Sequence, residues 1–349
     1  MPAKSDAELM TLGSRIMRAA GADQAVAERV VRHLIGSNLV GIDSHGIMRL
    51  PHYVSWLLDG RASGQNRLEV LHDLEATCLI DAHFTYGAVA ASEASRIARE
   101  KAHRVGVGLV SVRNSTHTGR LGEYMEELAR DGFIGMICCN AQGHGQFVAP
   151  WGGSDARLTT NPIAWGFPSG HEDRVVVVDM ATSASPEGRI RLAHERGESL
   201  PNGHIIDKAG NDTTNPADLF GPPRGAILPF GQHKGYALAL VVEMLSGALS
   251  GGGSSRPSDQ PYTHENAFFL MAIRTDSIRP LGEVMQQIDS MIEYVTSSPP
   301  VDPAGEVLIP YQRELRERQR RLQDGLEIAQ STWDRIVELA ASVGVSPVT

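Results

Sequence analysis

The sequence predicts an α/β body flanked by helices from both chain ends, and three observations carry that reading. Short β-rich runs alternate with alanine-rich helical stretches from about residue 68. Amphipathic helical spacing fills both the first sixty residues and the tail. No G-x-G-x-x-G turn is present, since Gly106-x-Gly108 is followed by Ser111 where the third glycine belongs.

The first helix is read from Leu9, Leu12, Ile16 and Met17, with Gly21 placed to stop it. Asp23 is expected to cap a second helix carrying Val26, Val30, Val31, Leu34 and Ile35. Val54, Trp56, Leu57 and Leu58 form a third apolar set ending at Gly60. Strands are expected at Cys78 to Ile80, Val107 to Val112, Phe133 to Cys139, Val175 to Val178 and Phe268 to Ile273. Helices are expected at Ala88 to His103, Leu121 to Arg130, Lys234 to Leu249 and Leu281 to Tyr294. Gly251 to Pro261 reads as a mobile loop. A capped helix at Ser331 to Val343 closes the chain, with Trp333, Ile336, Val337 and Leu339 at core spacing. The expected division is a helical domain from residues 1–62 and 300–349, and an α/β body from 63–299.

The 349 residues carry 32 Lys+Arg against 41 Asp+Glu, a net charge of −9, which leaves no electrostatic footprint for nucleic acid. A 42% hydrophobic content supports a sizeable core. Cys78, Cys138 and Cys139 cannot make a disulfide framework and read as small buried hydrophobes of a reducing compartment. Met1 to Leu9 has no apolar run, and Tyr236 to Leu245 is too short to span a bilayer. A soluble cytoplasmic protein without a membrane partner is expected. Walker A, G-x-S-x-G and H-E-x-x-H motifs are absent, and the histidines show no paired metal spacing, so no metal is expected.

Five polar stretches remain. In Gly41 to Tyr53, a helical turn would put His45 and Arg49 on one face, joining a group that titrates near neutrality to a planar fork suited to carboxylate. Ser44 either caps that turn or binds substrate, and an exposed helix start is the plain alternative. Asn114 to Gly122 follows a strand, so its turn could offer amides to phosphate, with Arg120 pairing the anion and His117 moving a proton; an ordinary loop explains it equally. Thr159-Thr160-Asn161-Pro162 marks a turn. Asp179 closes a buried valine run and wants a partner, histidine being suitable, or else makes an Asx cap. His233 and Lys234 open a helix, a position that suits anion binding.

Together these stretches resemble the malate/L-lactate dehydrogenase family of the second type, whose D-S-H-G-x-x-R, N-S-x-H-x-G, T-N-P, D-x-A-T-S and H-K-G-Y elements occur here in order from Asp43 to Tyr236. The resemblance implies NAD(P)-dependent interconversion of a 2-oxo acid and its 2-hydroxy acid, with NAD against NADP undecided. It implies a non-Rossmann, largely antiparallel mixed sheet and a homodimer. His45 would donate the proton, oriented by Asp179, or His117 would take that role. Arg49 and Thr160 would hold the substrate carboxylate, with Ser44 and Tyr53 nearby. His45, Gly119, Arg120, Leu121, Val178, Asp179, Met180, Ala181, His233 and Lys234 would line the cofactor, with Asn266. The alternatives are a cyclic imino-acid (piperideine- or pyrroline-2-carboxylate) reductase and an inactive cofactor-binding homologue. Pro310-Tyr311-Gln312 departs from the family's Pro-Gly-Glu, and Ala141 to Asp155 holds His144 and Gln146 where some members carry a lysine.

Overall fold

The computed structural model describes residues 3–143, 145–171, 174–257 and 265–346. His144 and the last part of the expected loop at Gly251 to Pro261 lie outside the described residues.

The amino-terminal arm folds because each helix has one apolar stripe and a defined start. Helix α1 (Asp6–Ala19) opens on a reciprocal cap, with Ser5 Oγ accepting from the Glu8 N–H and Glu8 Oε2 accepting from the Ser5 N–H at 2.8 Å. Helix α2 (Gln24–Leu39) follows Asp23, but the Asp23 side chain makes no cap bond; its backbone N–H is instead held by the Gly64 carbonyl at 2.8 Å. Helix α3 (Leu50–Leu58) completes the arm. Leu12, Ile16, Val30, Leu34 and Trp56 share one apolar cluster with Ile336 and Ala340 from the last helix, and Tyr86 and Val89 of the body join it. A two-residue ladder between Ala3–Lys4 and Leu326–Glu327 ties the two chain ends together.

The central sheet has seven strands: β1 (Glu69–Asp73), β2 (Thr77–Asp81), β3 (Val107–Ser115), β4 (Phe133–Ala141), β5 (Ile163–Phe167), β6 (Val176–Met180) and β7 (Asn266–Arg274). Their order is β1-β2-β3-β7-β4-β5-β6, and only β2 and β3 run parallel. The sheet is therefore mixed and largely antiparallel. Helices α4 (Gly87–Val105) and α5 (Gly122–Arg130) cover it, contributing Ala90, Ala94, Ala98, Tyr124 and Leu128 to the main core. The pairing of Ile163 with Met180 sets Thr160–Pro162 beside Asp179–Ala181, which fixes one wall of the site.

Helix α6 (Glu187–Arg196) was not anticipated from the sequence. Helix α7 (His233–Val242) continues as a wider π-helical stretch, Glu243–Ala248, rather than as one regular helix to Leu249. The buried Glu243 carboxylate accounts for the change: it is turned inward to accept from Asn161 Nδ2 at 2.9 Å, Asn140 Nδ2 at 3.1 Å and the Ser255 N–H at 3.0 Å. Ser255 is buried by the same bonds, and the buried Ser250 Oγ accepts from the Gly252 N–H at 3.0 Å, so the start of the expected mobile loop is anchored. Helix α8 (Leu281–Thr296) and helix α9 (Gln312–Asp324) precede α10 (Gln330–Ser342), which starts one residue before the expected Ser331 and has no side-chain cap. All three cysteines are free and buried. Among the described residues, no helix is long and apolar enough to cross a membrane, and no group of three His, Cys, Asp or Glu could hold a metal.

Candidate functional site

His45 and Arg49 do not share one helical turn. Two short 3-10 turns, Asp43–His45 and Ile47–Arg49, meet at an extended Gly46 before α3 begins. The cause is Asn38 on α2. Its Oδ1 accepts from the Ile47 N–H at 2.7 Å and its Nδ2 donates to Asp43 Oδ1 at 2.6 Å, so the turn wraps around the amide. A Cβ at Gly46 would stand 2.3 Å from Asn38 Oδ1, which is why only glycine fits there. The fold still brings the two side chains together, because Arg49 Nε donates to the Ser44 carbonyl at 2.7 Å. Among the described residues no hydrogen bond engages either Nη group of Arg49, which leaves both for an anion.

Ser44 Oγ lies 3.1 Å from His45 Nδ1. The His45 ring stacks on His117 with centroids 5.6 Å apart, and Tyr53 Oη lies 2.7 Å from His117 Nδ1. Tyr53 is itself fixed by Tyr86, whose hydroxyl donates to the Tyr53 carbonyl at 2.6 Å. Burial pushes the Tyr53 phenol well above its ordinary pKa, so it keeps its proton. The half-buried His45 is pushed down to about 3, first by desolvation from the surrounding protein and then by the neighbouring Arg49.

A cavity of about 580 Å³ opens on this cluster, lined by Ser44, His45, Gly119, Arg120, Leu121, Thr160, Val178, Asp179, Met180 and Ala181. Ten of the expected site residues therefore converge. Arg120 is 5% exposed and pairs with no carboxylate among the described residues; its Nε is buried without a hydrogen-bond partner. A buried guanidinium with an unmet donor, at the wall of a cavity, fits an anionic ligand group such as a dinucleotide phosphate. Thr160 is held in the wall through its carbonyl, which accepts from the Thr182 N–H at 2.9 Å.

Asp179 and His45 form no hydrogen bond. Asp179 Oδ2 accepts from the Gly122 N–H at 2.7 Å, at the first turn of α5, and the group facing His45 Nδ1 is Ser44. Asp179 opens on the cavity, yet the surrounding protein desolvates it and raises its pKa against the pull of that amide and of Arg120. Arg49, Tyr53 and His117 adjoin the cavity through Ser44 and His45. Asn266 sits behind the wall, its Oδ1 accepting from the Thr118 N–H at 2.8 Å. His233 and Lys234 lie exposed at the start of α7 and are not among the residues lining the cavity.

Ile309, Pro310, Tyr311, Arg313 and Glu314, around the departure noted at Pro310 to Gln312, form a further wall. Tyr311 has a left-handed backbone, and its hydroxyl donates to Glu126 Oε2 and accepts from Arg120 Nη1 at 3.3 Å. Arg318 grips Glu126 with both Nη atoms at 2.5 and 2.6 Å. Its guanidinium, Tyr311 and Arg130 hold the Glu126 carboxyl down to about 2 although burial opposes them. The signal available in the sequence was the departure at Pro310 to Gln312 itself.

The chain is 35% identical over 334 residues to hydroxycarboxylate dehydrogenase B of Escherichia coli O157:H7, covering 95% of this chain and 91% of that protein. The malate dehydrogenase structure from Pyrococcus horikoshii OT3 matches with a TM-score of 0.89 at 30% identity, covering 99% of this chain and 97% of that one. The Δ1-piperideine-2-carboxylate reductase structure from Pseudomonas syringae pvar. tomato matches with a TM-score of 0.85 at 29% identity, covering 97% of this chain and 100% of that one. The family description malate/L-lactate dehydrogenase matches residues 5–337, and with that span, the ordered motifs and the shared fold, the chain belongs to the malate/L-lactate dehydrogenase family.

Proposed function

We propose that the protein interconverts a 2-hydroxy acid and its 2-oxo acid with a nicotinamide cofactor. The observation that carries this reading is the convergence on one cavity of His45 and the buried Arg120, which has no carboxylate partner among the described residues, with Arg49 held beside them by the Ser44 carbonyl. Arg120, Gly119, Leu121 and Val178 to Ala181 would hold the cofactor, which when bound supplies or accepts the hydride. The two Nη groups of Arg49, with Thr160, would fix the substrate carboxylate and so turn its carbonyl carbon toward the reacting face. At a pKa of about 3 the imidazole of His45 is neutral at ordinary pH, the form needed to take the hydroxyl proton during oxidation. A carboxylate held on Arg49 raises that pKa, which favours the charged form needed for reduction. Tyr53 Oη, 2.7 Å from His117 Nδ1, would fix the His117 ring where it stacks on His45 and make it a second proton-moving group.

A second reading, reduction of a cyclic imino acid, is supported by the likeness to the piperideine-2-carboxylate reductase structure and needs the same Arg49 and His45. The reading further includes two units, residues 1–62 with 300–349 and residues 63–299, supported by the apolar cluster shared by both chain ends. It also includes a homodimer, supported by the exposed Val241, Met244 and Leu249 on the helix that begins with the exposed His233 and Lys234. The test is a panel of malate, lactate, sulfolactate, phenylpyruvate and pyrroline-2-carboxylate with both NAD(H) and NADP(H). Turnover of at least one hydroxy or oxo acid supports the first reading, turnover of the imine alone supports the second, and none with either cofactor refutes both.

A further inference from the structure

The loop that carries Gly119, Arg120 and Leu121 into the cavity is held from behind by a buried histidine that lines no part of it. His33 lies on α2 among Val30, Val31 and Leu34 and has no exposed surface. Its Nε2 accepts from the Arg120 backbone N–H at 3.0 Å, which requires a lone pair on that nitrogen. Its Nδ1 lies 2.6 Å from Glu123 Oε2. The contact is bent away from an ideal hydrogen bond, but two bare acceptors would repel at that distance, so Nδ1 carries the proton. Glu123 is held in turn by Arg29 Nη1, 2.6 Å from Oε1. Tyr124 stacks on the His33 ring at 5.7 Å and donates to the Thr118 carbonyl at 2.9 Å. Gly119 has φ +79°, and a Cβ there would stand 1.9 Å from His33 Nε2, so the ring also occupies the space that a side chain at 119 would need.

We propose that His33 is a positioning residue for the cofactor: through its Nε2 lone pair, with Glu123 and Arg29 fixing the ring, it sets the backbone from which the Arg120 guanidinium reaches the bound anion. The inference rests on reading the cavity as a nicotinamide site. A guanidinium whose backbone is already fixed loses less freedom on binding, so the effect belongs in cofactor affinity rather than in the chemical step.

The experiment measures dissociation constants of NADH and NADPH by protein fluorescence, with KM, kcat and melting temperature, for the wild type, His33→Leu and His33→Gln. Leu leaves the Arg120 amide unpaired, whereas the Gln carbonyl can accept from it. His33→Leu should weaken cofactor binding about tenfold or more and raise the cofactor KM in step, with kcat at saturation within about threefold, and His33→Gln should recover most of the loss. The nitrogen NMR spectrum of wild-type protein labelled at histidine should show a ring protonated on Nδ1 and bare at Nε2. Cofactor affinity unchanged in His33→Leu, no recovery in a folded His33→Gln, or a proton on Nε2 would each overturn the proposal. Failure of the wild type to bind either cofactor would refute the reading of the cavity as well.

Discussion

The phenol of Tyr53 meets Nδ1 of His117 at 2.7 Å, which joins α3 of the helical arm to the loop after β3. If that contact sets the state of His117 during proton transfer, Tyr53→Phe should lower kcat by about tenfold, because one oriented hydrogen bond to a proton-transfer group is lost while the ring stays packed. Steady-state kinetics with the best substrate of the panel checks this, and an unchanged kcat would leave the pair a packing contact.

Arg49→Lys should act on the acid and not on the cofactor. Lysine keeps the charge but cannot bond the Ser44 carbonyl and grip a carboxylate in the same fork. The expected result is a KM for the acid raised about tenfold, with cofactor KM within about twofold of the wild type. A rise in cofactor KM alone would move Arg49 out of the substrate's reach.

Arg120→Met separates function from stability. The variant removes a buried cation that has no carboxylate partner among the described residues, so the melting temperature should hold or rise. Cofactor affinity should fall about tenfold or more, the cost of a charge-assisted contact to phosphate. Calorimetric melting and fluorescence titration on one sample read both effects; a destabilised variant that binds cofactor normally would contradict the assignment.

Glu126 gives a pH dependence with a definite sign. Its folded pKa of about 2 lies below the unfolded carboxyl value of 4.5, so its contribution to stability is complete above the unfolded value and is lost as pH falls toward 2. Glu126→Gln should therefore lower stability at neutral pH by about 3 kcal/mol, because Arg318 and Arg130 lose their shared charge. It should also flatten the acid limb of the stability curve. Denaturant unfolding across that range tests this, and parallel curves for both proteins would remove Glu126 from the account.

Much of this architecture was legible from periodicity. The strands at 107, 133 and 268 and the helices at 88 and 281 follow from apolar spacing, because burial on one face is written residue by residue. Strand β5 was missed because Ile163–Phe167 is short and sits between Asn161-Pro162 and Pro168, which read as turn. The π-helical stretch was missed because it is set by the distant Asn140, Asn161 and Ser255 rather than by local propensity. At the site, the motif residues from Ser44 to Ala181 converge, whereas the partner of Asp179 did not follow from residue type: an amide at a helix start served it instead of an imidazole. His33 carried a usable signal, a histidine on the apolar stripe of α2, but nothing local named its partners, Arg120 and Glu123.

On the proposed reading His45 moves the proton while the rest of the cavity binds. The most direct measurement compares wild type and His45→Asn by the change in nicotinamide absorbance with the best hydroxy acid, alongside fluorescence titration of the cofactor. Cofactor binding within about twofold of the wild type and turnover lower by about a hundredfold or more are expected. Turnover in His45→Asn within about threefold of the wild type would contradict it.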